Sequence, residues 1–118
     1  MFSNTDIKLT IMKAREKGKN YEIKLMNELK DWFPDVKTSR SESRNRDDLG
    51  ADFVNTHPFA IQAKATEKSP SYSVLLKDMQ KNLPGEIPII IRKQNNKPET
   101  VTMLKEDFYA LVFPFKVE

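Results

Sequence analysis

The chain has no cysteine among its 118 residues. Disulfides and thiolate metal sites are excluded, and a reducing compartment suits such a composition. No apolar run approaches the about 20 residues that span a bilayer. The opening MFSNTDIKLTIMKAREK also lacks the apolar stretch and cleavage site of a secretory signal. A cytoplasmic location is expected. There is no internal repeat and no low-complexity linker. The single histidine, His57, stands before Pro58 in a turn and reads as a surface residue rather than a general base. The length suits one compact domain covering 1–118.

What is present is charge. Hydrophobic residues make up 38% and charged residues 31% of the chain, which suits a modest core under a heavily charged surface. Lys and Arg number 20 against 17 Asp and Glu, a net +3, and the distribution is uneven. Residues 1–46 carry eleven basic and seven acidic side chains, and residues 47–118 carry nine and ten. A basic first part fits either a polyanionic partner such as nucleic acid or an ordinary solvated surface.

Patterning predicts eight elements in the order α-β-β-β-α-β-β-α. Residues up to about 11 read as a flexible arm or helix start. A helix is expected over 12–33, stopped near Pro34, and a short strand over 36–40. The polar stretch 39–50 reads as a mobile basic loop. Strands over 51–55 and 59–65 are expected to form a hairpin turning at Thr56-His57-Pro58. A helix over 72–83 ends at Pro84-Gly85. The apolar run IPIIIR at 87–92 suggests a buried central strand. A turn, a strand over 100–104 and a helix over 105–113 close the chain. That last helix has an apolar side, which either packs on the sheet or makes a dimer contact. The fold class is α/β, a central mixed β-sheet flanked by α-helices.

The first helix carries an acid on its apolar side. With Tyr21 at 0° and about 100° per residue, Trp32 falls at about 20°, Leu25 at about 40°, Leu29 at about 80°, Phe33 at about 120° and Met26 at about 140°. Glu22 falls at about 100°, inside that arc, and Gly18 at about 60°. A carboxylate there is costly without a partner, and a glycine costs about 1 kcal/mol of helix propensity. Either the glycine opens space into which the acid points, or Glu22 snorkels past the stripe and Gly18 marks a kink.

A second cluster lies on the predicted strands. In FAIQAKA, Phe59, Ile61 and Ala63 point one way, into the core, while Ala60, Gln62 and Lys64 point the other. Hairpin pairing brings Asp52 close to Gln62 and Lys64. Glu22 and Asp52 are hard oxygen ligands suited to magnesium, with the Gln62 amide oxygen as a neutral third. Such an ion acidifies a bound water and neutralises charge on a phosphorane. Lys64 positions the attacking water or stabilises developing charge. The alternative is a surface-facing Gln-Lys pair on an edge strand.

Together these residues resemble the PD-(D/E)xK nuclease superfamily, whose signature is an acid on the first helix, an Asp at a strand start and an acid-x-Lys strand. Here those are Glu22, Asp52 and Gln62-Ala63-Lys64. The nearest likeness is to Holliday-junction resolvases of archaeal and phage type. Their Lys-Gly-x-x-x-Glu helix start is matched by Lys17 to Glu22, and their basic serine-containing loop by Ser39 to Arg44. The resemblance implies a restriction-endonuclease-like core, catalysis by Glu22, Asp52, Gln62 and Lys64, and magnesium held by the first three, with manganese able to substitute. It also implies a homodimer that nicks a four-way DNA junction symmetrically. Gln62 replaces the usual acid and removes a negative charge. Either another acid compensates, with Glu42 and Glu67 as candidates, or DNA phosphate completes the shell, or the site no longer cuts.

In this reading Lys37, Arg40, Arg44 and Arg46 grip phosphates, Ser39, Ser41 and Ser43 add hydroxyl contacts, and Lys13, Arg15, Lys17 and Lys19 extend the surface. No recognition helix or zinc finger is visible to read bases, which favours recognition of shape. A restriction- or repair-type duplex nuclease and a catalytically silent nucleic-acid-binding domain are the rival readings.

Overall fold

The computed structural model describes residues 3–117; Met1 and Phe2 of the expected arm, and Glu118, lie outside the described residues. The chain runs α1 (Asn4–Leu29), β1 (Lys37–Thr38), α2 (Ser39–Glu42), α3 (Arg44–Asp48), β2 (Phe53–Val54), β3 (Phe59–Ala65), α4 (Tyr72–Asn82), β4 (Ile87–Lys93), β5 (Thr100–Met103) and α5 (Lys105–Val112). This is an α/β arrangement with two small sheets. β1 and β2 pair antiparallel, while β3, β4 and β5 form a mixed sheet in that order.

β3 and β4 pair in parallel from Phe59↔Ile87 to Ala65↔Lys93, and α4 makes the crossover that parallel neighbours require. β5 returns antiparallel against Ile89 to Arg92. Pro88 lies in the central strand just before β5 begins to pair, where its missing N–H costs least. Both faces of the sheet are covered. Ala60 and Ile90 pack with Ala51, Leu76, Met79 and Leu83 on the α4 side. Ile61, with Phe59, Ala63, Ile89 and Ile91 beside it, packs with Tyr21, Leu25, Val36 and Phe53 on the α1 side. The face of β3 that holds Gln62 and Lys64 is therefore not an outer surface, since Ala60 on it is fully buried.

α1 is longer at its start and shorter at its end than the apolar pattern predicts. It begins in a capping box, in which Ser3 and Asp6 exchange side-chain-to-backbone hydrogen bonds, so residues 4–11 are helical rather than a flexible arm. Residues 4–16 are all exposed, and the molecule extends 64 × 29 × 27 Å because this end of the helix stands clear of the body. After Leu29 the chain tightens into turns. Trp32, expected in the apolar arc, is 72% exposed, because the 100° step no longer applies there. Phe33 turns back to meet the Phe59 ring edge-on at 6.4 Å.

Two further expectations change, and one open alternative closes. β2 does not form a hairpin with β3. It pairs with β1, and contact with β3 passes through Asp52, whose N–H donates to the Ile61 carbonyl at 2.8 Å. The stretch 39–50 is not a mobile loop but holds two short helices. Ser43 caps the second, accepting from the Arg46 N–H at 3.3 Å, as serine at a helix start does. Of the two alternatives for α5, burial against the sheet does not occur, since none of its residues is buried; Phe108, Tyr109 and, just past its end, Phe113 cluster on the surface with ring centroids 5.8–6.3 Å apart.

Gly18 has no packing role, since a Cβ there meets nothing within 4 Å. Gly18→Ala is expected to raise unfolding free energy by about 0.5–1 kcal/mol through helix propensity, read by urea titration. A loss of stability would show that the backbone needs the glycine.

Candidate metal centre

Three acids from three segments converge. Glu22 comes from α1, Asp47 from α3 and Asp52 from the extended stretch before β2, and one carboxylate oxygen of each lies within 4.8 Å of the others. Oxygens sharing one cation at about 2.0–2.6 Å lie at most about 4–5 Å apart, so the spacing fits one hard ion. Glu22 reaches the cluster because its stripe on α1 is the packed one; it is 7% exposed.

Asp52 is held from both sides. Its carbonyl accepts from the Ser39 N–H at 2.7 Å, and its Oδ2 accepts from the Ala63 N–H at 2.7 Å. The carboxylate thus occupies the edge of β3 that β2 leaves unpaired. One hydrogen bond does not offset burial beside two other acids. Unit charges about 4 Å apart repel by about 4 kcal/mol at an effective dielectric of about 20. Burial, then the nearby charge of Glu22 and contact with Asp47, push the Asp52 carboxyl up to about 7 against the opposing Ala63 hydrogen bond. Burial also raises Glu22, with Asp47 adding to the rise and Arg40 opposing it. Arg40 Nη2 lies 3.4 Å from Glu22 Oε1 and is the one basic group in ion-pair contact with the three acids among the described residues.

Gln62 and Lys64 are placed differently. Gln62 sits between Ile61 and Ala63, the two residues that bond Asp52. Its amide nitrogen faces Gly50, where an added Cβ would lie 3.6 Å away, and its Oε1 is sealed from solvent without a hydrogen-bond partner. Gly50 has φ +98°, a conformation that L side chains rarely adopt. Lys64 is half-buried, makes no ion pair with the three acids, and borders a depression with Thr66, Lys68 and Ser71.

The acid that joins Glu22 and Asp52 is neither Glu42 nor Glu67. Glu42 is exposed, and the Glu67 carboxylate accepts from the Asn95 N–H at 3.0 Å. Asp47 does not stand out as a ligand in the sequence, because 39–50 reads as an irregular loop. The available signal was an acid five residues before Asp52, separated from it by a helix end and Gly50.

The expected phosphate-gripping residues divide. Lys19, Lys37 and Arg44 are exposed. Arg40 is half-exposed beside Glu22. Lys17 Nζ donates to Asn95 Oδ1 at 3.3 Å, and Ser41 Oγ donates to the Thr38 carbonyl at 3.0 Å. Two do not face solvent as expected. Ser39 is fully buried, because its N–H is committed to Asp52. Arg46 turns inward, its Nε donating to the Phe53 carbonyl at 2.7 Å and its guanidinium bonding both Glu86 oxygens at 2.9 and 2.6 Å.

Among the described residues no helix is long and apolar enough to cross a membrane. No protein-family model, curated protein or solved structure significantly matches the chain.

Proposed function

We propose that this chain is a metal-dependent endonuclease that hydrolyses DNA phosphodiester bonds, with a four-way or branched junction as substrate. The carrying observation is the convergence of Glu22, Asp47 and Asp52 on one point with a single partial counter-ion. One buried and two partly buried carboxylates at this spacing are unfavourable unless protons or a cation neutralise them. Glu22, Asp47 and Asp52 would hold the ion, and magnesium, with manganese as substitute, suits an all-oxygen donor set. When bound, such an ion supplies charge neutralisation and an acidified water.

The chain's own groups supply the rest. Asp47 restores the negative charge that Gln62 removes. Arg40, half-exposed at the cluster's rim, is placed to meet a phosphate once Glu22 is engaged elsewhere. Lys64 on β3 stabilises developing negative charge when substrate bridges it to the carboxylates. In this reading the three-strand sheet with α1 on one face and α4 on the other is the restriction-endonuclease-like core of the PD-(D/E)xK superfamily. The exposed Phe108 and Tyr109 of α5, with Phe113 just past its end, offer apolar surface for a homodimer.

A second reading, a DNA-binding module that no longer cuts, draws on Gln62 and on the separation of Lys64 from the acids. One experiment divides the two. Purified protein, sized by light scattering to give its subunit number, is incubated with a labelled four-way junction and matched linear duplex under magnesium, manganese or chelator. Metal-dependent junction nicking that is lost in Glu22→Gln, Asp47→Asn and Lys64→Ala, and kept or raised in Gln62→Glu, is expected. Binding without cutting under either metal would leave the silent module, and equal cutting of linear DNA would leave a duplex nuclease.

A further inference from the structure

A groove of about 410 Å³ runs along α1 on the side away from the carboxylates. Lys13, Lys17 and Lys24 of α1 border it, Lys93 at the end of β4 faces them, and Tyr21 and Ala65 form its wall. With Tyr21 at 0° and about 100° per residue, these three α1 lysines fall at about 280°, 320° and 300°, against about 100° for Glu22. The groove and the acidic cluster therefore lie on opposite sides of one helix.

Charge dominates the groove. Lys24 is shared with Glu99 at 3.1 Å and Glu28 at 3.7 Å. Lys13, Lys17 and Lys93 have no carboxylate within ion-pair distance among the described residues, and Glu16 is the one acid on the lining. Tyr21 is 4% exposed, and its hydroxyl lies toward Glu99 without completing a hydrogen bond. The groove thus offers three ammonium groups with no carboxylate partner, of which Lys17 is hydrogen-bonded to Asn95, beside one aromatic and one small residue.

We propose that this groove is a second backbone-binding site, holding a phosphodiester segment of the nucleic acid other than the one at the carboxylates. The inference rests on the reading of the chain as a protein acting on nucleic acid. Phosphodiester binding takes its affinity from lysine and arginine charge, and four lysines against one acid line this groove.

The test uses the full chain in an Asp52→Asn background, so that binding is measured without cutting. A labelled four-way junction is titrated between 50 and 200 mM salt. Lys13→Ala with Lys93→Ala is expected to lower the slope of log K against log salt by about 1.8 and to weaken binding at 50 mM about tenfold. The pair Lys77→Ala with Lys81→Ala, on the exposed side of α4, changes charge equally and is expected to leave the slope near its starting value. An unchanged slope in the first pair, an equal drop in the second, tighter binding of polyglutamate than of an oligonucleotide, or no nucleic-acid binding at all would each overturn the proposal. Absence of metal-dependent cutting by the unsubstituted chain, with the expected slope change still present, would remove the nuclease reading and leave the groove assignment standing.

Discussion

Asp52→Asn is expected to abolish the proposed metal-dependent cleavage, by about a thousandfold, on the order of what removing a key electrostatic group costs, while making the metal-free protein more stable at pH 8. The two effects have one cause. Asp52 is pushed up to about 7, chiefly by burial, then by Glu22 and Asp47, whereas an unfolded aspartate titrates at about 3.9. Between those values the folded chain holds a proton that the unfolded chain has released. Stability from this group is therefore whole below about pH 4, declines as pH rises, and is gone once pH exceeds about 7. Asparagine keeps an acceptor for the Ala63 N–H and carries no charge, so it removes this decline.

Thermal unfolding in chelator between pH 5 and 9 reads the effect. The midpoint of the unsubstituted protein is expected to fall toward pH 8 by several degrees, on the order of 2 kcal/mol. Asp52→Asn should show a flatter profile. Magnesium or manganese should restore the midpoint at pH 8 and do little at pH 5, because the ligands must lose protons to bind. Parallel profiles for the two proteins, or a midpoint indifferent to metal at pH 8, would remove the carboxylate cluster as a cation site.

Arg46→Ala is expected to destabilise the fold by about 2–4 kcal/mol, the largest effect among the basic residues. Its guanidinium makes a two-pronged ion pair with Glu86 and its Nε bonds the Phe53 carbonyl, with both charged side chains only about one-fifth exposed. Removing one partner leaves the other charge half-buried and unpaired. The bond ties α3 to the start of β4, so its loss also frees Asp47 and should weaken metal affinity. Arg46→Lys should recover only part, since an ammonium cannot bond both carboxylate oxygens in the same plane. Denaturant titration of Arg46→Ala, Glu86→Ala and the double variant should give a total smaller than the two single losses combined. Arg44→Ala, at an exposed position two residues away, should lie within about 0.5 kcal/mol of the starting protein. An Arg46→Ala loss as small as that of Arg44→Ala would mean the pair is only a surface contact.

Arg44 and Arg46 differ in a way that no local sequence feature encodes. Both stand in the same charged stretch and both read as phosphate contacts. Whether an arginine meets solvent or a carboxylate forty positions away depends on which segment folds against it. Asp47 was missed for the same reason. A run of Ser, Arg, Asn and Asp has no apolar periodicity, and its helices exist because Ser43 caps one and Arg46 anchors it. Trp32 was misplaced because a helical wheel assumes that the helix continues.

Local chemistry written in the chain fixed the longer elements. Apolar spacing placed Tyr21, Leu25 and Glu22 on one side of α1, period-two alternation set β3, and Pro84-Gly85 closed α4. The acid among apolar neighbours on α1 and the Asp before a strand were both visible without coordinates, because burial of a carboxylate stands out against hydrophobic periodicity. Tertiary structure alone decided that β2 turns to β1, that Asp47 completes the cluster, that Arg46 faces inward and that lysines from α1 and β4 share a groove. Each of those is a meeting of segments distant along the chain, and pairing between distant segments follows from how the whole core closes rather than from any local preference.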